Sequence, residues 1–225
     1  MKLVHPDYEY HIDFSEGSIT ALFFDDPVRL RSWFMELLNQ YKGEKGKFVL
    51  SEKGEEINIS ENLVIVPDPL LFEISDKKIT NKIQSMLKSY VLSSDMFIKT
   101  QTILSEIEKY AEEIKAEFGY PVNFDKFDSV ALLKMISFGI EYEFSSELEK
   151  LLEYMNLFHD ICGIKAFIVL NAFSLFSKQE IEQLCKDCSL QGHSLLFIEG
   201  CSSLSDEQLP FLNKVIIDLD GCELY

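Results

Sequence analysis

Residues 18–30 read SITALFFDDPVRL, and they join an apolar strand to the start of a helix. The apolar run ends at Asp25, Asp26 and Pro27, after which apolar residues recur at helical spacing as far as Tyr41. In nucleotide-binding α/β domains the equivalent turn holds phosphate through glycine backbone groups and a lysine. Here the turn has neither, and its two carboxylates would repel phosphate. The stretch predicts a P-loop-like strand, turn and helix whose phosphate turn is degenerate.

Further buried strands are predicted near both ends of the chain. Leu63–Val66 is a short apolar run, and Ala166–Leu170, Ser194–Ile198 and Lys214–Leu219 supply three more, with a helix near 178–187 between the first two of these. Strands that alternate with helices are typical of a parallel sheet covered by helices.

Residues 75–160 have helical patterns without strands. Ser75 or Asp76 caps the first helix, and a heptad-like stripe from Phe97 to Phe118 marks a second, which should pack against a partner along its whole length. A capping box at 146–149 opens the last helix. We therefore predict an α/β fold with a degenerate P-loop-like parallel-sheet head, formed by residues 1–74 and 161–225, and an inserted all-helical leg subdomain, residues 75–160.

The composition limits the possible functions. Of 225 residues, 38 are Asp or Glu and 21 are Lys or Arg, which gives a formal net charge of -17. This charge argues against a freestanding nucleic-acid binder unless the basic residues are segregated or cations bridge the two polyanions. The apolar runs are too short to span a bilayer and no signal peptide is present, so we expect a cytoplasmic protein with no membrane partner.

No motif predicts an ordinary enzyme. Cys185 and Cys188 have the spacing of a redox or zinc pair, but no second pair completes a metal site and Cys185 lies late in a predicted helix. No serine has the surroundings of a hydrolase nucleophile, and the four histidines show no patterned partners. We interpret the cysteine pair as incidental and predict a protein without catalytic residues.

Acidic residues cluster between Glu106 and Asp128. A helix end followed by a turn brings carboxylate and amide oxygens together, which suits a hard cation, with calcium preferred over magnesium where the geometry is irregular. The candidate ligands are Glu113, Glu117, Asn123, Asp125 and Asp128. The alternative is structural: Asp125 or Asp128 caps the following helix, and the glutamates form the solvated face of the preceding one.

Basic residues are segregated into two other stretches. Residues 41–53 and 76–99 both have more lysines than acids, so these are the segments that could face a polyanion. The candidate DNA-binding residues are Lys42, Lys45, Lys47, Lys77, Lys78 and Lys82. The alternative is that they are ordinary solvated lysines.

Several short segments also carry a resemblance to a known family. They are Glu16–Thr20 entering the first strand, the turn Phe24–Asp26, the loop Gly43–Ser51, Leu132–Ile136 with Gly139, and Lys165–Asn171. With the order of elements over essentially the whole chain, these segments resemble the type II-A CRISPR adaptation proteins of the Csn-two family.

The resemblance implies a non-enzymatic, ring-shaped homotetramer that binds ends of double-stranded DNA in a lysine-lined hole and requires calcium for its assembled form. It also implies a role in spacer acquisition beside other CRISPR adaptation and effector proteins. The family's acidic calcium stretch falls on Asn123, Asp125 and Asp128, with Glu117 and Glu113 as neighbours, although Pro121 and the neutral Asn123 depart from more acidic versions. The DNA-facing lysines are not fixed by a motif and rest on charge segregation.

Two alternative functions remain open from the sequence. The first is a nucleotide-dependent switch or ATPase of P-loop ancestry, against which the acidic phosphate turn argues. The second is a protein-interaction module whose exposed acids keep it soluble.

Overall fold

The computed structural model describes residues 1–136, 138–200 and 212–224. The strands are β1 (Lys2–Val4), β2 (His11–Asp13), β3 (Ile19–Phe24), β4 (Val49–Glu52), β5 (Glu55–Ile57), β6 (Leu63–Val66), β7 (Ala166–Leu170), β8 (Ser194–Gly200), β9 (Asn213–Ile217) and β10 (Glu223–Leu224). The helices are α1 (Pro27–Tyr41), α2 (Ile59–Asn62), α3 (Lys77–Val91), α4 (Ser94–Glu117), α5 (Ser129–Ile136), α6 (Glu147–Leu157), α7 (Ala172–Leu175) and α8 (Lys178–Leu190), with a π-helical turn at Phe158–Cys162. Within the described ranges, no helix is both long enough and apolar enough to cross a membrane.

The larger sheet has the strand order β10-β9-β3-β8-β7-β6, and all its neighbours are parallel except β10, which is antiparallel to β9. The first strand of this sheet, β3, lies between β8 and β9, and Ile19 is paired with Leu195. The interiors of β3, β6, β7 and β8 are buried, as expected for strands covered on both faces. The predicted α/β fold with a parallel-sheet head is therefore confirmed.

A smaller antiparallel sheet has the order β2-β1-β4-β5. The sequence did not indicate β1, β2 or β5, because each is three residues long, and β2 and β5 carry exposed polar side chains. Strands this short give too few alternations for a period-2 pattern.

The core between the two sheets centres on Trp33 of α1. Its ring lies 6.0 Å from that of Phe24 on β3 and 4.9 Å from that of Phe48 beside β4. On the opposite face of the large sheet, the rings of Phe173 and Phe197 meet edge to face at 5.1 Å. Helix α1 therefore fastens the small sheet to one face of the parallel sheet, and α7 packs on the other.

The chain divides into two compact units: Met1–Ile74 with the chain from Glu143 onward, and Ser75–Tyr142. The sequence placed the return from the helical insertion near residue 160, but α6 lies in the first unit. There it packs against α8, and the Cys188 and Met155 sulfurs are 3.7 Å apart. The apolar stripe of α6 looks the same in sequence whether it faces a helix or a sheet layer, so the pattern could not assign it to a unit.

The second unit contains α3, α4 and α5, which contact one another. The side chain of Asp76 caps α3 by accepting a bond from the Lys78 N–H at 2.7 Å, and Gly119 follows α4 with φ +72°, as predicted for a C′ glycine. However, Phe97 and Phe118 of the α4 stripe are 49% and 58% exposed. The partner expected along the whole length of α4 is therefore not supplied within this unit.

Candidate functional site

The degenerate phosphate turn lies at the carboxyl end of β3, where ligands bind in open α/β sheets. Asp26 caps α1, with its Oδ1 accepting the Val28 N–H at 2.8 Å, and Pro27 occupies the first helical position. A side-chain carboxylate thus occupies the helix N-terminus that would bind phosphate in a working P-loop.

Arg29 lies in the first turn of the same helix. Its Nη2 donates to the backbone carbonyl of Leu219 at 3.2 Å. Its guanidinium also covers Gly221, where an added Cβ would lie 2.6 Å from Nη1. Arg29 therefore holds the segment after β9 against α1, a contact between positions too distant in sequence for any pattern to reveal.

The lysines of the α1–β4 loop lie on an ordered segment. Gln40 accepts the Phe48 N–H at 3.0 Å and donates to the Phe48 carbonyl, which fixes the two ends of the loop. Lys42 and Lys45 are exposed, whereas Lys47 pairs with Asp7. Its hydrogen bond to Asp7 raises the pKa of Lys47 and lowers the pKa of the carboxyl. Lys47 would have to give up this surface pair to contact a polyanion, so Lys42 and Lys45 are the better candidates.

The lysines of α3 share one side of the helix. At about 100° per residue, Lys77, Lys78, Lys82 and Lys88 fall within less than half of its circumference. The apolar residues occupy the other side: Ile79, Ile83, Met86, Leu87 and Tyr90. Ile79 is fully buried, whereas Lys77 and Lys82 are exposed and Lys78 is half-buried. We call the four lysines the α3 lysine face.

The two candidate lysine groups belong to different compact units. Lys42, Lys45 and Lys47 lie in the first, and Lys77, Lys78 and Lys82 in the second. Each group is gathered on its own segment, so the structure presents two separate basic elements for a polyanion.

All five candidate calcium ligands are exposed. Glu113 and Glu117 are one turn apart near the end of α4, and Asn123 and Asp125 lie in the loop that follows. Lys109 pairs with Glu106 and Lys115 with Glu112, so these lysines neutralise other acids of α4. No group of three or more His, Cys, Asp or Glu side chains is close enough to hold a metal ion in the part of the chain that the structure describes.

Asp128 has a structural role of its own. Its Oδ1 accepts the Ala131 N–H at 2.8 Å and its carbonyl accepts the Leu132 N–H, so it caps α5. This is the alternative weighed for it from the sequence. A cation at Asp128 would have to use the remaining carboxylate oxygen.

An apolar groove of about 390 Å³ lies beside the acidic loop. Its walls come from Ile107, Ala111 and Ile114 of α4 and from Phe124 and Phe127, and Asp125 also lines it. The sequence did not indicate this groove, because Phe124 and Phe127 follow the helix without periodicity.

The Cys185 and Cys188 thiols are buried inside α8. Burial raises the pKa of Cys185 to about 12 and raises the pKa of Cys188 further. Thiols held in the protonated form are poor nucleophiles and poor metal ligands. The predicted position of the pair inside a helix is confirmed.

Glu199 is a buried acid that sequence reasoning missed. It lies near the end of β8, is 1% exposed, and accepts the Phe173 N–H at 3.2 Å. Burial raises its pKa to about 8, against the opposing effect of the Phe173 and Ala172 N–H groups. The available clue was a glutamate directly after the apolar run 195–198, at the carboxyl edge of a predicted parallel strand.

Comparison with known proteins gives two kinds of match. The family described as CRISPR-associated protein (Cas_Csn2) matches residues 40–220, a range that holds all the candidate lysines and metal ligands but not the turn at 24–27. The chain is also similar to the ADP conformation of an ATP-binding cassette of an ABC transporter, at 13% identity and a TM-score of 0.44, covering 96% of this chain and 82% of that one. A nucleotide-free ATP-binding cassette from an ABC transporter matches at 12% identity with the same TM-score and coverage.

Proposed function

Since this chain belongs to the Cas_Csn2 family of CRISPR-associated proteins, and so has a role in CRISPR adaptation, we propose that it binds ends of double-stranded DNA without sequence preference, as a calcium-dependent ring-shaped homotetramer. In this role it supports spacer acquisition together with other CRISPR adaptation and effector proteins. The observation that carries the proposal is the α3 lysine face, which is opposite in charge to the chain as a whole.

The α3 lysine face supports contact with the DNA backbone. Lys77 and Lys82 are exposed, and lysines grouped on one side of a helix can contact several phosphates and release their counterions. With a Debye length of about 10 Å at 0.1 M salt, such a local group acts despite a net charge of -17. Contacts to phosphates carry no base information, so binding by this face would be independent of sequence.

In this proposal calcium holds the subunits of the tetramer together. Asp125, Asn123 and the last turn of α4 offer oxygen atoms from exposed side chains, and calcium accepts such ligands in irregular geometry. Ligands from a neighbouring subunit would complete the coordination that one chain leaves open. A bound cation would also reduce repulsion between four acidic chains and between the ring and DNA.

Self-association is supported by the apolar surface of the helical unit. Phe97, Tyr110, Phe118, Tyr120 and Phe124 are between 49% and 74% exposed. Large apolar side chains grouped on one small unit mark an interaction surface. A second copy of the chain would supply the partner that α4 lacks in the single subunit.

The proposed role requires no catalysis. Asp26 caps the helix that follows the phosphate turn, and the buried cysteines are protonated. The proposal therefore gives neither the turn nor the cysteines a part in chemistry. The protein would act on DNA in the cytoplasm by holding it, and chemistry on the DNA would belong to its partner proteins.

A gel shift tests the proposal most directly. Linear duplex of unrelated sequences is titrated with protein in calcium or in a calcium chelator, and the oligomer mass is followed by light scattering under the same conditions. We expect binding and a tetrameric mass in calcium, and neither in chelator. Absence of binding in both conditions, or binding unchanged by chelator, contradicts the proposal. An oligomer that forms without binding any duplex would favour the protein-interaction alternative.

A further inference from the structure

An open cavity of about 380 Å³ lies at the carboxyl edge of the parallel sheet, and it shares no lining residue with the lysine groups or the acidic loop. It is lined by the segment after β6 (Pro67, Asp68 and Pro69), by Leu170, Asn171, Ser174 and Leu175 around the start of α7, and by Gly200 at the end of β8. This is the edge at which open α/β sheets bind ligands. The proposed binding of DNA does not involve it.

The polar atoms of the cavity favour a positively charged ligand. Asp68 uses Oδ1 to accept the N–H groups of Leu70 and Leu71, at 2.9 and 3.1 Å, which leaves Oδ2 available. The side chains of Asn171 and Ser174 have no hydrogen-bond partner among the described residues. No basic residue is found among the described residues that line the cavity. An anion would meet a carboxylate without a compensating cation.

Asn171 is held where it lines this cavity. Its backbone is left-handed, with φ 54° and ψ 31°, which is uncommon for a residue other than glycine. Its N–H donates to the carbonyl of Ile198 at 2.9 Å and its own carbonyl accepts the Ser174 N–H at 3.3 Å, so both flanking segments hold this conformation. The backbone of Asn171 is therefore fixed at the sheet edge, beside the cavity.

The mixed lining indicates the kind of ligand. Two prolines and two leucines lie beside the polar atoms, so the open cavity offers a surface for an alkyl stem next to a carboxylate. Lys and Arg side chains combine a stem of this kind with a cationic head. We propose that this cavity receives a lysine or arginine side chain from a partner protein, with Asp68 as its counter-charge and Asn171 and Ser174 as hydrogen-bond acceptors.

This inference is independent of DNA binding. The edge of the sheet that faces phosphate in P-loop proteins carries acids in this chain, with Asp25 and Asp26 after β3 and Asp68 after β6. The same inversion of charge that opposes nucleotide binding makes the edge attractive to a basic protein surface.

A methyl-group titration tests the proposal on the full chain. Protein labelled at leucine methyl groups is titrated with N-acetyl-arginine amide, and in parallel with N-acetyl-citrulline amide, which has nearly the same shape but no charge. We expect saturable shifts of the Leu170 and Leu175 methyl signals with the arginine compound and none with citrulline. Equal shifts with the two compounds, or no shift with either, would overturn the proposal.

The variant D68N separates charge from structure. Asparagine can still accept the Leu70 and Leu71 N–H groups through its Oδ1, so the turn is kept while the counter-charge is removed. We expect the affinity for the arginine compound to fall by about tenfold, equivalent to about 1.4 kcal/mol. The matched control D220N removes an exposed acid that is not part of the cavity and should leave the affinity unchanged. An unaltered affinity in D68N would also overturn the proposal.

Discussion

The Oδ1 atom of Asp26 lies 2.8 Å from the backbone nitrogen of Val28 and accepts its hydrogen bond. In a working P-loop the N–H groups at this helix start face a phosphate. Here the chain supplies its own anion, and Pro27 contributes no N–H. A nucleotide bound at this turn would have to displace a helix cap and approach two carboxylates.

The first prediction concerns this cap. Asp26→Ala should lower the free energy of unfolding by about 1 kcal/mol, because the first turn of α1 would be without its side-chain acceptor. Urea denaturation measures the change, and Asp26→Asn, which can still cap, should be close to wild type. Neither variant nor the wild type should bind labelled ATP at equilibrium. Micromolar binding would revive the nucleotide-switch alternative.

The second prediction concerns the α3 lysine face. Replacing Lys77 and Lys82 by glutamine should weaken binding of linear duplex and flatten the plot of log affinity against log salt, by roughly 0.9 for each phosphate that is no longer neutralised. Lys186→Gln, an exposed lysine of α8, is the matched control and should leave the slope unchanged. If all these replacements weakened binding equally, net charge rather than the α3 face would carry the effect.

The third prediction separates metal binding from helix capping at Asp128. Asp128→Asn keeps an acceptor for the Ala131 N–H but removes the charge, so it should raise the calcium needed for assembly while leaving the stability of the chain nearly unchanged. Asp125→Ala should also raise the calcium requirement. Light scattering over a calcium series gives the oligomer mass. A tetramer indifferent to both changes would leave Asp128 with its capping role alone.

The fourth prediction concerns the acid behind the sheet edge. Burial raises the pKa of Glu199 to about 8, so the folded chain keeps this group protonated at pH values where the unfolded chain ionises it. Glu199 therefore stabilises the fold at low pH, and its contribution disappears as pH rises from about 4.5 to about 8. Glu199→Gln should remove this part of the pH dependence. Equal slopes for variant and wild type over that window would contradict it.

The fifth prediction concerns a group whose pKa is lowered, so that stability is lost as the pH falls. His193 is fully buried, and burial lowers its pKa to about 4, with His159 adding to the effect and Asp160 opposing it. Lys165 also disfavours the charged ring. The folded chain keeps the ring neutral, so stability should fall as pH drops from about 6.5 to about 4, by an amount on the order of 3 kcal/mol. His193→Gln should flatten this acid limb in urea titrations, and an unchanged limb would contradict the assignment.

The elements that repeat a clear pattern were predictable from the sequence. The parallel strands, the cap at Asp76 and the glycine after α4 follow from continuous apolar runs and from capping chemistry, and they are confirmed. The family indicated by the short segments is also confirmed. These features depend on neighbours within a few residues, which is the range that a pattern can report.

The features that depend on distant contacts were not predictable. The small sheet, the bond from Arg29 to Leu219 and the burial of Glu199 each bring together segments far apart in the chain. The end of the insertion was likewise set by what α6 packs against rather than by its own stripe. The calcium ligands, the DNA-facing lysines and the tetramer remain predictions.

The pairing of Ile19 with Leu195 has a consequence for biosynthesis. Strand β3 is synthesised well before its parallel neighbours β8 and β9, so the large sheet cannot form around β3 until those two strands have also been made. The helical unit 75–142 is built from contacts close in sequence and can form long before that. During synthesis the apolar β3 therefore has unpaired edges, and unpaired strand edges favour aggregation of a partly folded chain.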